Sequence, residues 1–122
     1  MKTQKKIEAD VYQGDCLDIL RSWPKEKAAL TYLDPPFFTQ REQKLSARDR
    51  STHFSFDDRW RSITHYASFL SDRIAEIHRI LKPTGSVFFH CDKTASHVAR
   101  LILDDVFGKE NFQSEIIWSY KR

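Results

Sequence analysis

Three short segments carry the residues best suited to chemistry: Gly14-Asp15, Asp34-Pro35-Pro36-Phe37 and His90-Cys91-Asp92. Each follows or closes a stretch that reads as a β-strand, at 9–13, 29–33 and 86–91. In open parallel sheets, ligands bind outside the carboxyl ends of the strands. Asp15, Asp34, His90, Asp92 and the Phe37 ring are therefore expected to converge on one edge of a sheet. Other chemistries lack their residues. The His90-Cys91-Asp92 group has no second ligand cluster at metal-binding spacing, so no metal is expected. No G-x-S-x-G supports a serine hydrolase. The three glycines, Gly14, Gly85 and Gly108, lie too far apart for any glycine-rich phosphate cradle.

The elements that must position these residues follow from periodicity and end signals. Asp15 is a suitable N-cap for a helix from Cys16, with Leu17, Leu20 and Trp23 at helical spacing before Pro24. The run ALTYL at 29–33 has strand length and stops at Asp34-Pro35-Pro36. Residues 37–61 show no sustained period and read as a long functional or disordered loop. An amphipathic helix at 62–81 places Ile63, Tyr66, Ala67, Leu70, Ile74, Ile77 and Leu81 on one face, and 82–85 reads as the turn that ends it. The strand at 86–91 follows. Thr94 can then cap a helix with Ala95, Val98, Leu101, Ile102 and Asp105 on one face, ending at Gly108. EIIWS at 115–119 reads as a fourth strand. Strands alternating with helices predict an α/β fold with a parallel sheet.

Composition narrows the class. The 122 residues suit one domain, and 40% hydrophobic with 30% charged residues describe a globular chain. No apolar run approaches the roughly 18 residues of a membrane span, and the first residues hold no apolar signal core, so a cytoplasmic protein is expected. Cys16 and Cys91 form no C-x-x-C pair. The net charge of +3 is small, but its basic excess lies in the chain ends and in the 41–61 loop. Arg41, Lys44, Arg48 and Arg50, interleaved with Phe54, Phe56 and Trp60, suit contact with nucleic-acid phosphates and bases. Ordinary solubility, or an insertion whose aromatics pack locally, accounts for the same residues. Trp60 is expected to pack on the following helix rather than on a base.

The LDPPF segment resembles motif IV of the amino-methyltransferases, which methylate exocyclic nitrogens of nucleobases. Further segments match the β-class DNA methyltransferases in order: GDC at 14–16, FDDRW at 56–60, LKPTGS at 81–86, HCD at 90–92, VFGKENF at 106–112 and EIIWSY at 115–120. The resemblance implies a partial Rossmann-like fold dependent on S-adenosylmethionine, a mostly parallel sheet with helices on both faces. Residues 1–122 would form a single partial catalytic domain. It implies double-stranded DNA as substrate, adenine N6 as acceptor because aspartate leads the motif, and a restriction subunit or second copy as partner. Asp34 and the Pro35 carbonyl would hold the amino hydrogens, Pro35 and Pro36 would add no competing N–H, and Phe37 would stack on the extruded base. Asp15 and Asp34 would contact the cofactor, and His90 and Asp92 would line the pocket; for Asp15 the N-cap role stands beside this one. Phe37 replaces the commoner tyrosine and also occurs in RNA-modifying relatives. Cytosine N4, RNA and a catalytically inactive nucleic-acid-binding remnant remain the alternatives. In this class the glycine-containing cofactor motif and the target-recognition region follow the catalytic motif. Neither is present in these residues, so the chain is not expected to methylate alone.

Overall fold

The computed structural model describes residues 6–40, 42–46, 53–57 and 59–121, with the backbone alone for 42–46 and 53–57. In chain order the elements are α1 (Cys16–Arg21), β1 (Ala28–Leu33), β2 (Glu42–Ser46), β3 (His53–Asp57), α2 (Ile63–Ile80), β4 (Leu81–Phe89), α3 (Ser96–Phe107) and a 3-10 turn at Lys109–Asn111. Among the described residues, no helix is long and apolar enough to cross a membrane.

Helix α2 organises the core. The Ser62 hydroxyl accepts from the His65 N–H at 3.1 Å and starts it. Tyr66, Leu70, Ile74, Ile77 and Ile80 then bury one stripe, as the sequence period predicts. Helix α1 adds Leu20 against Ile77 and Ile80, while Ala95 and Ala99 of the α3 region close on Tyr66, Leu70 and Ile74. The small alanines let α3 approach α2. The buried side of α3 therefore continues through Ile102, Leu103 and Val106. The expected face is met in part: Ala95 and Ile102 lie in the core, whereas Leu101 is 68% exposed and Asp105 is exposed too. Thr94 is not the cap. Its hydroxyl donates to the Phe38 carbonyl or to Asp92 Oδ2, and Ala95 occupies the cap position without a side-chain bond. Gly108 does end α3, at φ +86°, where an added Cβ would strike the Glu110 carboxylate.

β1 and β4 pair in parallel, with Thr31 opposite Val87 and Leu33 opposite Phe89. The expected turn at 82–85 is carried within β4 as a register slip between Ala28–Leu81 and Leu30–Ser86. Gly85 permits it, since a Cβ there would lie 2.7 Å from Leu81 Cγ and 3.0 Å from the Ala29 carbonyl oxygen. Helices on both faces were expected; among the described residues all three pack on one. Leu33 and Val87 turn toward that layer, whereas Leu30, Tyr32 and Phe88, alternating with them, are 58%, 62% and 43% exposed.

Two expected strands do not form. Residues 9–13 and 115–119 have the right residue types, but among the described residues no edge pairs with them, and Val11 and Ile117 are 96% and 83% exposed. A strand needs a partner's hydrogen bonds as well as propensity. Conversely, the 37–61 loop contains an antiparallel hairpin, β2 with β3, in register from Glu42–Asp57 to Ser46–His53. Phe54 and Phe56 alternate with polar residues in β3, but EQKLS in β2 holds a single apolar residue, so only one of the two strands carries the strand period.

Arg79 on α2 ties α1 to the core. Its guanidinium donates to the carbonyls of Trp23 at 2.9 Å and Leu20 at 2.8 Å, satisfying the C-terminal end of α1. Arg79→Met should lower unfolding free energy by about 1–2 kcal/mol, read from urea denaturation, with early loss of amide protection in α1.

Candidate active site

A cleft of about 620 Å³ runs beside β1, lined also by residues of α1 and α2 and by Phe89 of β4. Leu20, Ile77 and Ile80 contribute to its apolar walls, while Asp15, Asp34 and Arg73 are the charged residues that line it. The volume is typical of small-molecule pockets.

Asp34 stands at the end of β1, placed there by the parallel register and the two prolines that stop the strand. Its side chain is exposed and has no hydrogen-bond or ion-pair partner among the described residues. Pro35 and Pro36 line the same cleft. Beyond them, the Phe37 ring lies parallel to the His90 imidazole, 8° between planes and 5.6 Å between centroids. His90 is fixed on two further sides: its N–H donates to the Leu33 carbonyl at 2.8 Å, and its Nδ1 lies 2.9 Å from the Tyr32 hydroxyl. The segment after Phe37 is held by Trp60, whose indole N–H donates to the Phe37 carbonyl at 3.2 Å and whose backbone pairs with the Gln40 amide. Trp60 also packs on Tyr66 and Phe69, as expected, so the loop after the prolines is anchored to α2.

Asp92 reaches the same region through Thr94; its Oδ1 is buried without a partner among the described residues. Cys91 packs against the core, and burial, followed by Asp92 and Glu115, pushes its thiol above the ordinary value. The thiol form is therefore favoured, which suits packing rather than nucleophilic attack.

Asp15 caps α1 as expected, with Oδ1 accepting from the Leu17 N–H at 2.9 Å. It also makes a two-pronged ion pair with Arg73, at 2.8 and 2.6 Å. The Leu17 N–H foremost holds its carboxyl below the usual value of 3.8; burial, the next effect in size, opposes this, and Arg73 and then Arg21 lower it further. A depressed folded-state pKa contributes stability above the unfolded value, and this is lost as pH falls through the folded value. Between pH 4 and 2, wild type should thus lose more stability than Asp15→Asn, which keeps a cap but cannot titrate; acid denaturation with urea midpoints at each pH checks this.

The structure brings Asp15, Asp34, Pro35 and Pro36 to one cleft and sets Phe37 beside His90. It does not place the basic loop: Arg41, Arg48 and Arg50 lie outside the described residues, and Lys44 is on β2. Sequence reasoning missed Arg73 and Tyr32. A faint signal for Arg73 existed, a cation between Leu70 and Ile74 of the buried stripe of α2. Among the described residues no group of His, Cys, Asp or Glu is arranged to hold a metal ion.

The fold and this site define a chain in which an acidic strand end meets an aromatic platform beside an apolar cleft. A family model described as DNA methylase, spanning N6 and N4 enzymes, matches residues 28–122. The chain belongs to that family, as the ordered motifs lead one to expect. It is 36% identical over 81 residues to the Type II methyltransferase M.HinfI of Haemophilus influenzae, covering 64% of this chain and 23% of that protein. The StyLTI Mod subunit of a Type III restriction-modification enzyme of Salmonella typhimurium is 30% identical, covering 89% and 20%. The Type II methyltransferase M.KpnI of Klebsiella pneumoniae is 28% identical, covering 89% and 26%. The chain thus spans about a quarter of these curated relatives or less.

Proposed function

We propose that this chain supplies the catalytic edge of a Rossmann-like DNA methyltransferase that transfers a methyl group from S-adenosylmethionine to adenine N6, in a restriction-modification setting like that of its relatives. One observation carries the reading: Asp34, a carboxylate without a partner among the described residues, stands between the cleft and the Phe37–His90 pair.

Enzymes of this family use S-adenosylmethionine, and the residues fit it. Two carboxylates and one guanidinium leave the cleft lining with one excess negative charge, matched to a cationic sulfonium. When bound, the cofactor supplies an electrophilic methyl group. The chain's residues do the positioning. Asp34 and the Pro35 carbonyl accept the two amino hydrogens and favour a pyramidal nitrogen, whose lone pair is otherwise delocalised into the ring. Phe37 offers its ring to an extruded base, replacing lost stacking. Asp15, which lines the same cleft, would accept a hydrogen bond from the cofactor. Catalysis then rests on orientation and electrostatics.

The edge of β1 and the sheet face that are left uncovered among the described residues, with the short coverage of the relatives, support a site completed by further protein. That protein would bring the cofactor's glycine motif and the target reader, with a restriction subunit or second copy as partner. The test combines labelled S-adenosylmethionine, unmethylated duplex DNA and mass spectrometry of the hydrolysed bases. The 122-residue chain is expected to be inactive alone. A longer protein carrying it, with an F-x-G-x-G segment downstream, is expected to yield N6-methyladenine. N4-methylcytosine, or transfer only to RNA, would overturn the acceptor assignment; robust transfer by the chain alone would overturn its incompleteness.

A further inference from the structure

Arg73 is the most constrained polar side chain at the cleft. It is only 12% exposed, although it carries a permanent charge. Its Nη1 donates to the Phe69 carbonyl at 3.0 Å, and its guanidinium carbon lies 3.5 Å from the Phe69 ring centroid. Its Nη2 reaches both oxygens of Asp15, across 58 residues of sequence.

Neither helix capping nor stability requires this arrangement. The Leu17 N–H already gives Asp15 its capping bond, and an ion pair with one partner taken out of water gains little net stability. What the pair does achieve is immobilisation. Asp15 is 48% exposed and lines the cleft, so its carboxylate retains accepting capacity beyond the bonds from Leu17 and Arg73.

We propose that Arg73 is a positioning residue that holds the Asp15 carboxylate as a fixed acceptor for amino or hydroxyl donors of the cofactor. This rests on the S-adenosylmethionine reading above. Arginine rather than lysine is required because its planar fork can engage a carbonyl and a carboxylate at once. Preorganised by α2, Asp15 has no conformational freedom left to lose when the ligand arrives.

The test titrates S-adenosylmethionine and S-adenosylhomocysteine by calorimetry into a longer protein that carries this chain and the downstream glycine motif, with R73M, R73K, D15N and the R73M/D15N pair. R73M should weaken binding by about tenfold, R73K less, and the double variant should be no weaker than D15N alone. Additive losses, or wild-type affinity in R73M, would overturn the proposal. A second readout needs no ligand: carbon-detected NMR of the Asp15 carboxyl during acid titration. The groups acting on it are Arg73 from α2, Arg21 and the Leu17 N–H from α1, with Asp34 and Cys16 on the same cleft. R73M should move the Asp15 titration upward while Leu17 amide protection persists; an unmoved titration sinks the positioning role. If wild type binds neither compound, the cofactor reading fails, and the role of Arg73 toward a ligand fails with it, while the titration still decides whether Arg73 holds Asp15.

Discussion

Asp34→Asn, in a methylation-competent protein that carries this chain, is expected to lower the methyl-transfer rate at least about a hundredfold while leaving the thermal melt unchanged. The two halves of this expectation have separate causes. Asparagine keeps the shape of aspartate but loses the charge and replaces one acceptor oxygen by a donor, which faces the donor hydrogens of the target amino group. Stability is indifferent because the Asp34 side chain is exposed and holds no partner among the described residues. Single-turnover transfer measured beside circular dichroism melts checks both. A variant that retains the wild-type rate removes Asp34 from the chemistry; one that melts early assigns it a structural role instead.

Tyr66→Ala carries the largest expected stability effect, about 3–5 kcal/mol, against the roughly 5–15 kcal/mol that holds a domain folded. Tyr66 is fully buried, at 0% exposure. Its ring meets Trp60 at 4.9 Å and Phe38 at 5.5 Å, centroid to centroid. Losing it unseats both neighbours and with them the segment that follows the two prolines. Urea unfolding should show the destabilisation, and hydrogen exchange should show residues 37–40 opening before α2. Tyr66→Phe, which keeps the ring, should retain the protection of 37–40; equal loss in both variants would show that ring packing is not what holds the segment.

The readability of the elements followed their locality. Helix α2 was legible because Tyr66, Leu70, Ile74 and Ile77 repeat at a helical period and Ser62 precedes them. The Asp15 cap and the Gly108 stop are likewise written within a few residues. The strand β1 and the 86–89 part of β4 were legible because each is a short apolar run; β4 begins earlier, at Leu81, and ends at Phe89, so His90 and Cys91, expected within it, lie just beyond. Segments 9–13 and 115–119 look the same in sequence, and only the lack of a pairing edge among the described residues separates them. The β2–β3 hairpin presents the opposite case, pairing although only β3, through Phe54 and Phe56, alternates. For α3, Ala95 and Ile102 of the expected face reach the core, but Ala99 rather than the larger Leu101 meets α2.

The sequence by itself determined which chemistry was available and in what order it occurs: a capping aspartate, an Asp-Pro-Pro-Phe strand end, and a His-Cys-Asp strand end, the pattern that places the chain among the DNA methylases. Such patterns are local, set by backbone restriction and side-chain type within a handful of residues. Only the tertiary structure decided which of these groups touch. Arg73 meets Asp15, and Tyr32 meets His90, each across 58 residues. Those contacts depend on the rotation of α2 and on the parallel register of β1 with β4, and no short stretch of sequence specifies either.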